Sequence, residues 1–461
     1  MAKPTPLSGY PELLPAQRFV ETEVIDSLVQ VFELHGFANI ETRAVEPLDQ
    51  LLRKGDTSKE VYVLRRLQSA KDGGDEDAGI GLHFDLTVPF ARYVLEHAGK
   101  LEFPFRRYQI QKAWRGERPQ DGRYREFTQA DIDVVGQDEL PVHHDLEVAR
   151  VMLEALSRLT FLPGFRLQVN NRKLIQGFYT GLGVDHTPGG IDEAMRLIDK
   201  LDKLPASAVR EQLVAAGLSD VQADRCLALA EICTSDESFV DRVRALGVSD
   251  PLLDEGLEEL AGLVRGCAGL VSDRVRIEAD LKIARGLDYY TGTVFETRLD
   301  GHESLGSICS GGRYDALASD GRTTYPGVGI SLGISRLLVP LLNRGVLVAN
   351  RSVPSAVLVA LVDEDGRRTS DALAAQLRAN GVPCEVAATP QKFGKQIRYA
   401  ERRGIPYVLF PGPADGSAGP EVKDIRSGEQ IAVDPATWTP PAADLKPQIV
   451  STGSTSEGDN Q

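Results

Sequence analysis

The sequence predicts an α+β fold: an antiparallel, hairpin-rich sheet flanked by helices, interrupted by a helical insertion and followed by a small α/β domain. Three stretches carry that prediction. Between Phe105 and Val135 the aromatic residues Tyr108, Trp114, Tyr124 and Phe127 recur at near period-two spacing among charged ones, the pattern of a β-hairpin. From about Asp185 to Gly269 Leu and Ala recur at period 3.6 with almost no strand signal, which predicts a helical module. From Ser355, "SAVLVALV", "SDALAAQLRANG", "CEVA", "FGKQIRYAERRG" and "YVLF" alternate strand with helix, as βαβ units on a parallel sheet do.

In chain order, Pro15 to Phe32 predicts a helix that ends near Gly36, followed by a strand from Ala38 to Ala44. "VYVLRRL" reads as a second strand, and the acidic, glycine-rich run from Ala70 to Gly79 as a turn or loop between antiparallel strands. "LHFDLTVPFARYVLEHAG" predicts a strand and then a helix, and the hairpin follows. "PVHHDLEVARVMLEAL" is helical in spacing, with His143 and His144 expected in solvent where it opens. Strand signals return from Val275, and "YPGVGISLGISRLLVPLL" is a strand feeding an apolar helix. The expected domains are residues 1–184 and 271–345 as two parts of one domain, an insertion at 185–270, a C-terminal domain at 353–436, and a disordered tail at 437–461.

A chain of 461 residues with 42% hydrophobic content has enough apolar material for two or three domains. No apolar run approaches the length of a membrane span, and "MAKPTPLSGYPELLP" lacks the charged and apolar regions of a secretory signal, so a cytoplasmic protein is expected. The five cysteines are widely spaced and include no CxxC pair, which indicates neither a disulfide framework nor a structural zinc. A net charge of -15 argues against indiscriminate nucleic-acid binding, so a polyanion must be met by local basic patches.

One such patch is conspicuous. Phe105 to Arg125 holds seven basic residues (Arg106, Arg107, Lys112, Arg115, Arg118, Arg123, Arg125) against Glu117 and Asp121, a local net of +5. A planar guanidinium gives bidentate hydrogen bonds to phosphate only when its orientation is held, and a rigid strand would hold Arg115, Arg123 and Arg125 in this way. Cross-strand ion pairs with Glu117, Glu126 and Asp131 are the plainer alternative, and the hairpin alone leaves both open.

"FRRYQIQKAWRGERPQDGRYREFTQADIDVVG" resembles motif 2 of the class II aminoacyl-tRNA synthetases, in the form carried by histidyl-tRNA synthetases. "ARGLDYYTGTVFE" and "CSGGRYDAL" are similar to the two histidine signatures of that family, and "GVGISLGISRL" to motif 3. "LHFDLTVPFARYV" and "LIDKLDKL" resemble its eukaryote-like branch. The resemblance covers residues 7 to 435, with five motifs in the family's order.

What the resemblance implies is a six- or seven-stranded antiparallel sheet and a two-step reaction. Histidine and ATP, with Mg²⁺, give histidyl-adenylate, and the histidyl group then passes to the 3′ end of histidine tRNA. In the family's pattern Arg115 contacts the α-phosphate and the histidine carboxylate, Phe127 stacks on adenine, Arg336 covers its other face, and Arg123 is a second phosphate clamp. Arg285 stands where other class II enzymes place a divalent ion. Asp133 and Tyr290 correspond to the imidazole-binding positions, which suits a ring that offers one donor and one acceptor. Asp85, Leu86, Thr87 and Gln129 correspond to the α-amino subsite, and Tyr289 and Tyr314 to the pocket walls.

For tRNA, the resemblance points to Arg118 and Gln120 in the motif 2 loop and to Lys392, Lys395 and Arg398 in an anticodon-binding module, where Phe393 and Tyr399 could stack a base. It also implies a homodimer formed through "HGFANIETRAVEPLDQLL". Arg43, His83 and Ser335 depart from the family's usual residues. The competing class is a catalytically inactive paralogue that regulates histidine biosynthesis. Such paralogues typically lack "RGLDYY" and the C-terminal domain, and both are present here.

Overall fold

The computed structural model describes residues 4–52, 60–66, 79–187, 189–283, 290–315, 318–413 and 417–451. They group into two units, one of Met1–Pro11 and Ile25–Pro340, the other of Glu12–Val24 and Leu341–Gln461.

The chain opens with α1 (Pro15–Leu34), whose buried Val20, Val24, Leu28 and Val31 form the stripe that i, i+4 spacing requires. Gly36, at φ +77°, supplies the left-handed residue that stops it. Short pieces follow: β1 (Ala38–Asn39), β2 (Val45–Pro47), α2 (Leu48–Leu51) and β3 (Ile80–Leu82). The expected strand 38–44 is thus divided, and the described part of "VYVLRRL" makes a single bridge, Val63 with Gly81. Most of the glycine-rich run 70–79 lies outside the described residues. After α3 (Thr87–His97) come the hairpin strands β4 (Phe105–Trp114) and β5 (Glu126–Val135), then α4 (His143–Arg158), β6 (Phe165–Asn171) and α5 (Arg172–Gly181).

The insertion is α6 (Gly190–Ile198), α7 (Ala206–Ala215), α8 (Asp220–Ala230), a two-residue β7 (Cys233–Thr234), α9 (Phe239–Ala245) and α10 (Pro251–Cys267). Next are β8 (Val275–Asp280), β9 (Thr293–Leu299), β10 (Ser307–Tyr314), β11 (Gly327–Gly333) and α11 (Ile334–Asn343).

The main sheet has nine strands in the order β1-β4-β5-β11-β10-β9-β6-β8-β7. It is mixed, not purely antiparallel: β1 runs parallel to β4, and β6 to β8. A parallel pair needs a long crossover, and for β6 and β8 the helices α5 to α10 supply it.

Opposed residues of paired strands share a face, so the register defines what the sheet presents. One row runs Gln109, Asp131, Ser331, Ser310, Glu296, Gln168 and Glu278 across seven strands. The next row on one side is Arg107, Asp133, Gly329 and Gly312; on the other it is Gln111, Gln129 and Gly333. The opposite face is apolar, with Tyr108, Ile132, Val134, Val328 and Ile330 buried.

The second unit includes β12 (Leu347–Ala349), β13 (Val357–Val359), α12 (Arg367–Ala379), β14 (Cys384–Val386), α13 (Phe393–Arg403), β15 (Tyr407–Phe410), β16 (Glu421–Asp424), β17 (Gln430–Ala432), α14 (Ala442–Leu445) and β18 (Ile449–Ser451). Its five-stranded sheet, β14-β13-β15-β16-β17, has the expected parallel β14, β13 and β15 and adds two antiparallel strands. Residues 437–451, expected in a disordered tail, are structured: Trp438 meets Tyr407 edge-on, the Tyr407 hydroxyl donates to Asp444, and β18 pairs with β12. The physical reason is the apolar content of Trp438, Leu445, Ile449 and Val450, which the tail's polar end lacks. Residues 452–461 lie outside the described residues.

Candidate active site

Hairpin pairing ends at Trp114 with Glu126, so Arg115, Arg118, Gln120, Arg123 and Arg125 stand in the connecting loop and not on the strands. The loop is nonetheless fixed. Arg115 N donates to Arg125 O at 2.9 Å, and Gln120 and Arg123 exchange backbone hydrogen bonds at 3.0 and 2.9 Å. Arg115 Nε donates to Phe84 O at 3.0 Å, which leaves its guanidinium 5.2 Å from the Phe127 ring centroid. Arg125 is spent on the fold, with Nε donating to Glu117 O.

Arg115, Arg123, Phe127, Gln129 and Arg336 line one cleft, together with Glu117, Ser307, Ser310 and Ser331. Arg336 enters from the first turn of α11, its Nε donating to Gly122 O at 3.1 Å and its Nη1 to Ser307 O at 2.7 Å. Burial, then the nearby Arg123 and Arg115 charges, depress its affinity for its proton. Three guanidiniums held together at a cleft wall form an anion site.

A second cleft shares Ser310 and Ser331 with the first and is lined by Thr87, Asp131, Asp133, Tyr290, Tyr314 and the glycines of β10 and β11. Tyr314 donates to Asp133 Oδ1 at 2.8 Å, and Arg107 Nη2 lies 2.6 Å from Asp133 Oδ2. Burial raises the phenols of Tyr290 and Tyr314, with Asp133 adding to both, so each keeps its proton. Glycine is required here because a Cβ on Gly329 would fall 2.1 Å from Asp133 Oδ1, and one on Gly312 2.7 Å from the Tyr290 ring.

Of the expected α-amino subsite, Thr87 lines this second cleft and Gln129 the first, where Gln129 Nε2 donates to Ser331 Oγ at 2.6 Å. Asp85 is buried and accepts from Val88 N at 3.0 Å, so it also caps α3; the Leu86 side chain is wholly buried. Arg285 and Tyr289 lie outside the described residues. Arg118 and Gln120 are exposed, as are Lys392, Lys395 and Arg398 around α13. Phe393 is exposed and meets Phe410 edge-on, whereas Tyr399 is half-buried and donates to Glu385.

His144, expected in solvent, is buried with Nδ1 2.6 Å from Glu147 Oε2, because it faces the sheet one residue after exposed His143. The three departures from family residues have local partners. His83 Nε2 donates to Lys112 O at 2.6 Å, Ser335 Oγ accepts from Thr128 N at 2.8 Å, and Arg43 reaches Glu46 at 3.2 Å.

Sequence reasoning missed Arg107, Ser310 and Ser331 as site residues, and took Asp131 only as a possible ion-pair partner. A signal existed: Phe127, Gln129, Asp131 and Asp133 share one parity on β5, and Arg107 shares that of Gln109 and Gln111 on β4.

A large mixed sheet that holds an arginine-walled cleft on a motif 2 hairpin, closed by a motif 3 arginine, is the catalytic core of the class II aminoacyl-tRNA synthetases. A family profile described as Histidyl-tRNA synthetase matches residues 9–337, and one described as Anticodon binding domain matches residues 356–437. The chain is 57% identical to the histidine–tRNA ligase of Cutibacterium acnes, over 98% of this chain and 100% of that one. It is also 57% identical to that of Micrococcus luteus, over 97% and 99%. The crystal structure of histidyl-tRNA synthetase from Nostoc sp. PCC 7120 superimposes with a TM-score of 0.82 at 34% identity, over 94% of this chain and 97% of that one. The chain belongs to the histidyl-tRNA synthetase family. These relatives are bacterial and give no support to the eukaryote-like branch suggested by "LHFDLTVPFARYV" and "LIDKLDKL".

Proposed function

We infer that this chain activates L-histidine with ATP and transfers it to histidine tRNA. The observation that carries the inference is the pair of contiguous clefts, one walled by guanidiniums and one by carboxylate and phenol, which meet at Ser310 and Ser331. ATP fits the first and the histidine side chain the second, so the amino-acid carboxylate meets the α-phosphate at their junction. Its oxygen attacks phosphorus, pyrophosphate leaves, and the tRNA 3′-terminal hydroxyl then attacks the histidyl carbonyl and releases AMP. Such chemistry asks the protein for positioning and charge stabilisation.

In this reading Arg115 and Arg123 hold phosphate, Phe127 and Arg336 sandwich adenine, and Asp133 accepts from one imidazole nitrogen while Tyr290 donates to the other. Asp85, Leu86, Thr87 and Gln129 receive the α-amino group, and Tyr289 and Tyr314 wall the pocket. Arg285 supplies permanent charge at the α-phosphate, and Mg²⁺, as the ATP counter-ion, would offset the remaining phosphate charge. Arg118 and Gln120 meet the 5′ end of the tRNA, and Lys392, Lys395 and Arg398 its anticodon.

The catalytic domain comprises 1–184 and 271–345, the insertion 185–270, and the anticodon-binding domain 353–436. The protein works as a cytoplasmic homodimer. No helix of the described residues is long and apolar enough to cross a membrane.

The regulatory-paralogue alternative is disfavoured by near full-length likeness to ligases. The structure from Bacillus halodurans described as an ATP phosphoribosyltransferase regulatory subunit/histidyl-tRNA synthetase, at 21% identity and a TM-score of 0.70, shares the fold. Histidine-dependent exchange of pyrophosphate into ATP decides between them: exchange supports the ligase, and its absence from folded protein overturns it.

A further inference from the structure

We propose that Arg107 and Asp131 are specificity-setting residues that hold Asp133 as the charged acceptor of the imidazole N–H; this rests on the reading of Asp133 given above. Arg107 is wholly buried, its guanidinium 4.2 Å from the Phe90 ring centroid. Its Nη2 lies 2.6 Å from Asp133 Oδ2 as an ion pair, but neither Nη2 nor Nε nor Nη1 has an aligned hydrogen-bond acceptor among the described residues. A buried guanidinium is permanently charged, so its desolvation must be offset by nearby carboxylates.

Three carboxyl groups crowd this region. Asp133 and Asp131 are same-face neighbours on β5, and Asp85 approaches from the segment before α3; all three are buried. The other groups facing them are the Tyr290 and Tyr314 phenols, Glu296 on β9, and the Ser331 hydroxyl, which donates to Asp131. Carboxylates crowded this closely cannot all ionise, and the one without the close cation keeps the proton. Asp131 is that one: burial, with Asp133 and Asp85 adding to it, outweighs Arg107 and Ser331 and pushes it up to about 7. Asp133 instead sits against the Arg107 guanidinium and accepts from the Tyr314 hydroxyl, the geometry of an acceptor.

The consequence is chemical. Ionised Asp133 only accepts, so it selects a ring that offers an N–H; protonated Asp133 would present its own hydrogen to that N–H. Removing Arg107 lets the proton spread onto Asp133 and so weakens histidine without touching the ATP cleft.

The test measures KM for histidine and for ATP by pyrophosphate exchange with the full chain. Arg107→Leu should raise the histidine KM at least about ten-fold at neutral pH, the loss expected when about nine-tenths of Asp133 carries a proton. The ATP KM should stay within about two-fold, and the histidine defect should shrink as pH rises and Asp133 ionises again. In an Asp131→Asn background, which removes the competing carboxylate, Arg107→Leu should cost less than about three-fold, because coupled sites are non-additive. Equal losses in both backgrounds would show Arg107 to be packing only and overturn the proposal.

If Arg107→Leu does not fold, Asp131→Asn alone decides. It should flatten the rise of the histidine KM below neutral pH, and an unchanged profile overturns the proposal. Asp133→Asn separates the levels. An unchanged histidine KM there removes Asp133 from the pocket and the proposal with it, whereas a raised KM beside an inert Arg107→Leu overturns the proposal alone.

Discussion

Arg115, Arg123 and Arg336 repel one another across the arginine-walled cleft, and the proton affinity of Arg336 is depressed by burial first and by that repulsion second. An anion relieves it, most of all when charge accumulates on a pentavalent phosphorus. Arg115 is held by Phe84 O and by its backbone bond to Arg125. Arg115→Ala is therefore expected to slow adenylate formation about 10²–10³-fold, the usual loss for one preorganised donor at a developing charge; single-turnover formation at the parental rate would remove Arg115 from the site. Arg115 and Arg123 were legible in the sequence because a local net charge of +5 inside an acidic chain needs an explanation, and Arg336 through the resemblance of "GVGISLGISRL" to motif 3. Arg107 belongs to the same run and was not legible. Whether a basic residue faces solvent, a ligand or a buried carboxylate depends on what lies across the strand, and Asp133 is 26 positions away in the chain.

At the level of elements, α3, α12 and α13 follow from periodicity, because each buries one face and so writes its period into the sequence; β4 and β5, buried on both faces at their centre, follow from the near period-two spacing of aromatic residues among charged ones. The parallel pairing of β6 with β8 does not, since the strands are separated by the whole helical insertion, and pairing leaves no local mark at that distance. The division of 38–44 was missed for a related reason: short strands offer too few residues for a period to show. Glycines of β10 and β11 sit between these cases. Their presence in "CSGGRYDAL" and "GVGISLGISRL" is plain, but what each one makes room for appears only in the register. Gly329 opposes Asp133, and a Cβ there would meet Asp133 Oδ1 at 2.1 Å and Ile132 O at 2.7 Å. Backbone cannot yield as a flexible side chain can, so Asp133 must move. Gly329→Ala is expected to raise the histidine KM at least about ten-fold, the loss that follows when a site no longer pairs a substrate N–H. The ATP KM should stay near the parental value, and loss of both together would point to disruption of the sheet.

For the whole molecule, the proposed homodimer has a physical motive in the N-terminal segments. Among the described residues Leu7, Leu34, Leu52, Val63 and Ile80 expose between 44% and 73% of their surface, and β1, both residues exposed, ends the nine-stranded sheet with an unpaired edge. Exposed apolar groups beside an open edge are costly in a monomer, and a two-fold axis covers both patches with one self-complementary contact. Val63 and Ile80 are the sharper probes, because the bridge of Val63 to Gly81 sets them close together on one small sheet. The chain should sediment at about twice its 50.2 kDa mass at micromolar concentration. Ile80→Asp, which would bury a carboxylate in the contact, should weaken association at least about ten-fold if the site is as central as its exposure suggests. A parent that sediments as a single chain would refute the dimer outright. A dimeric parent with an unaffected Ile80→Asp would keep the dimer but move its interface away from β3.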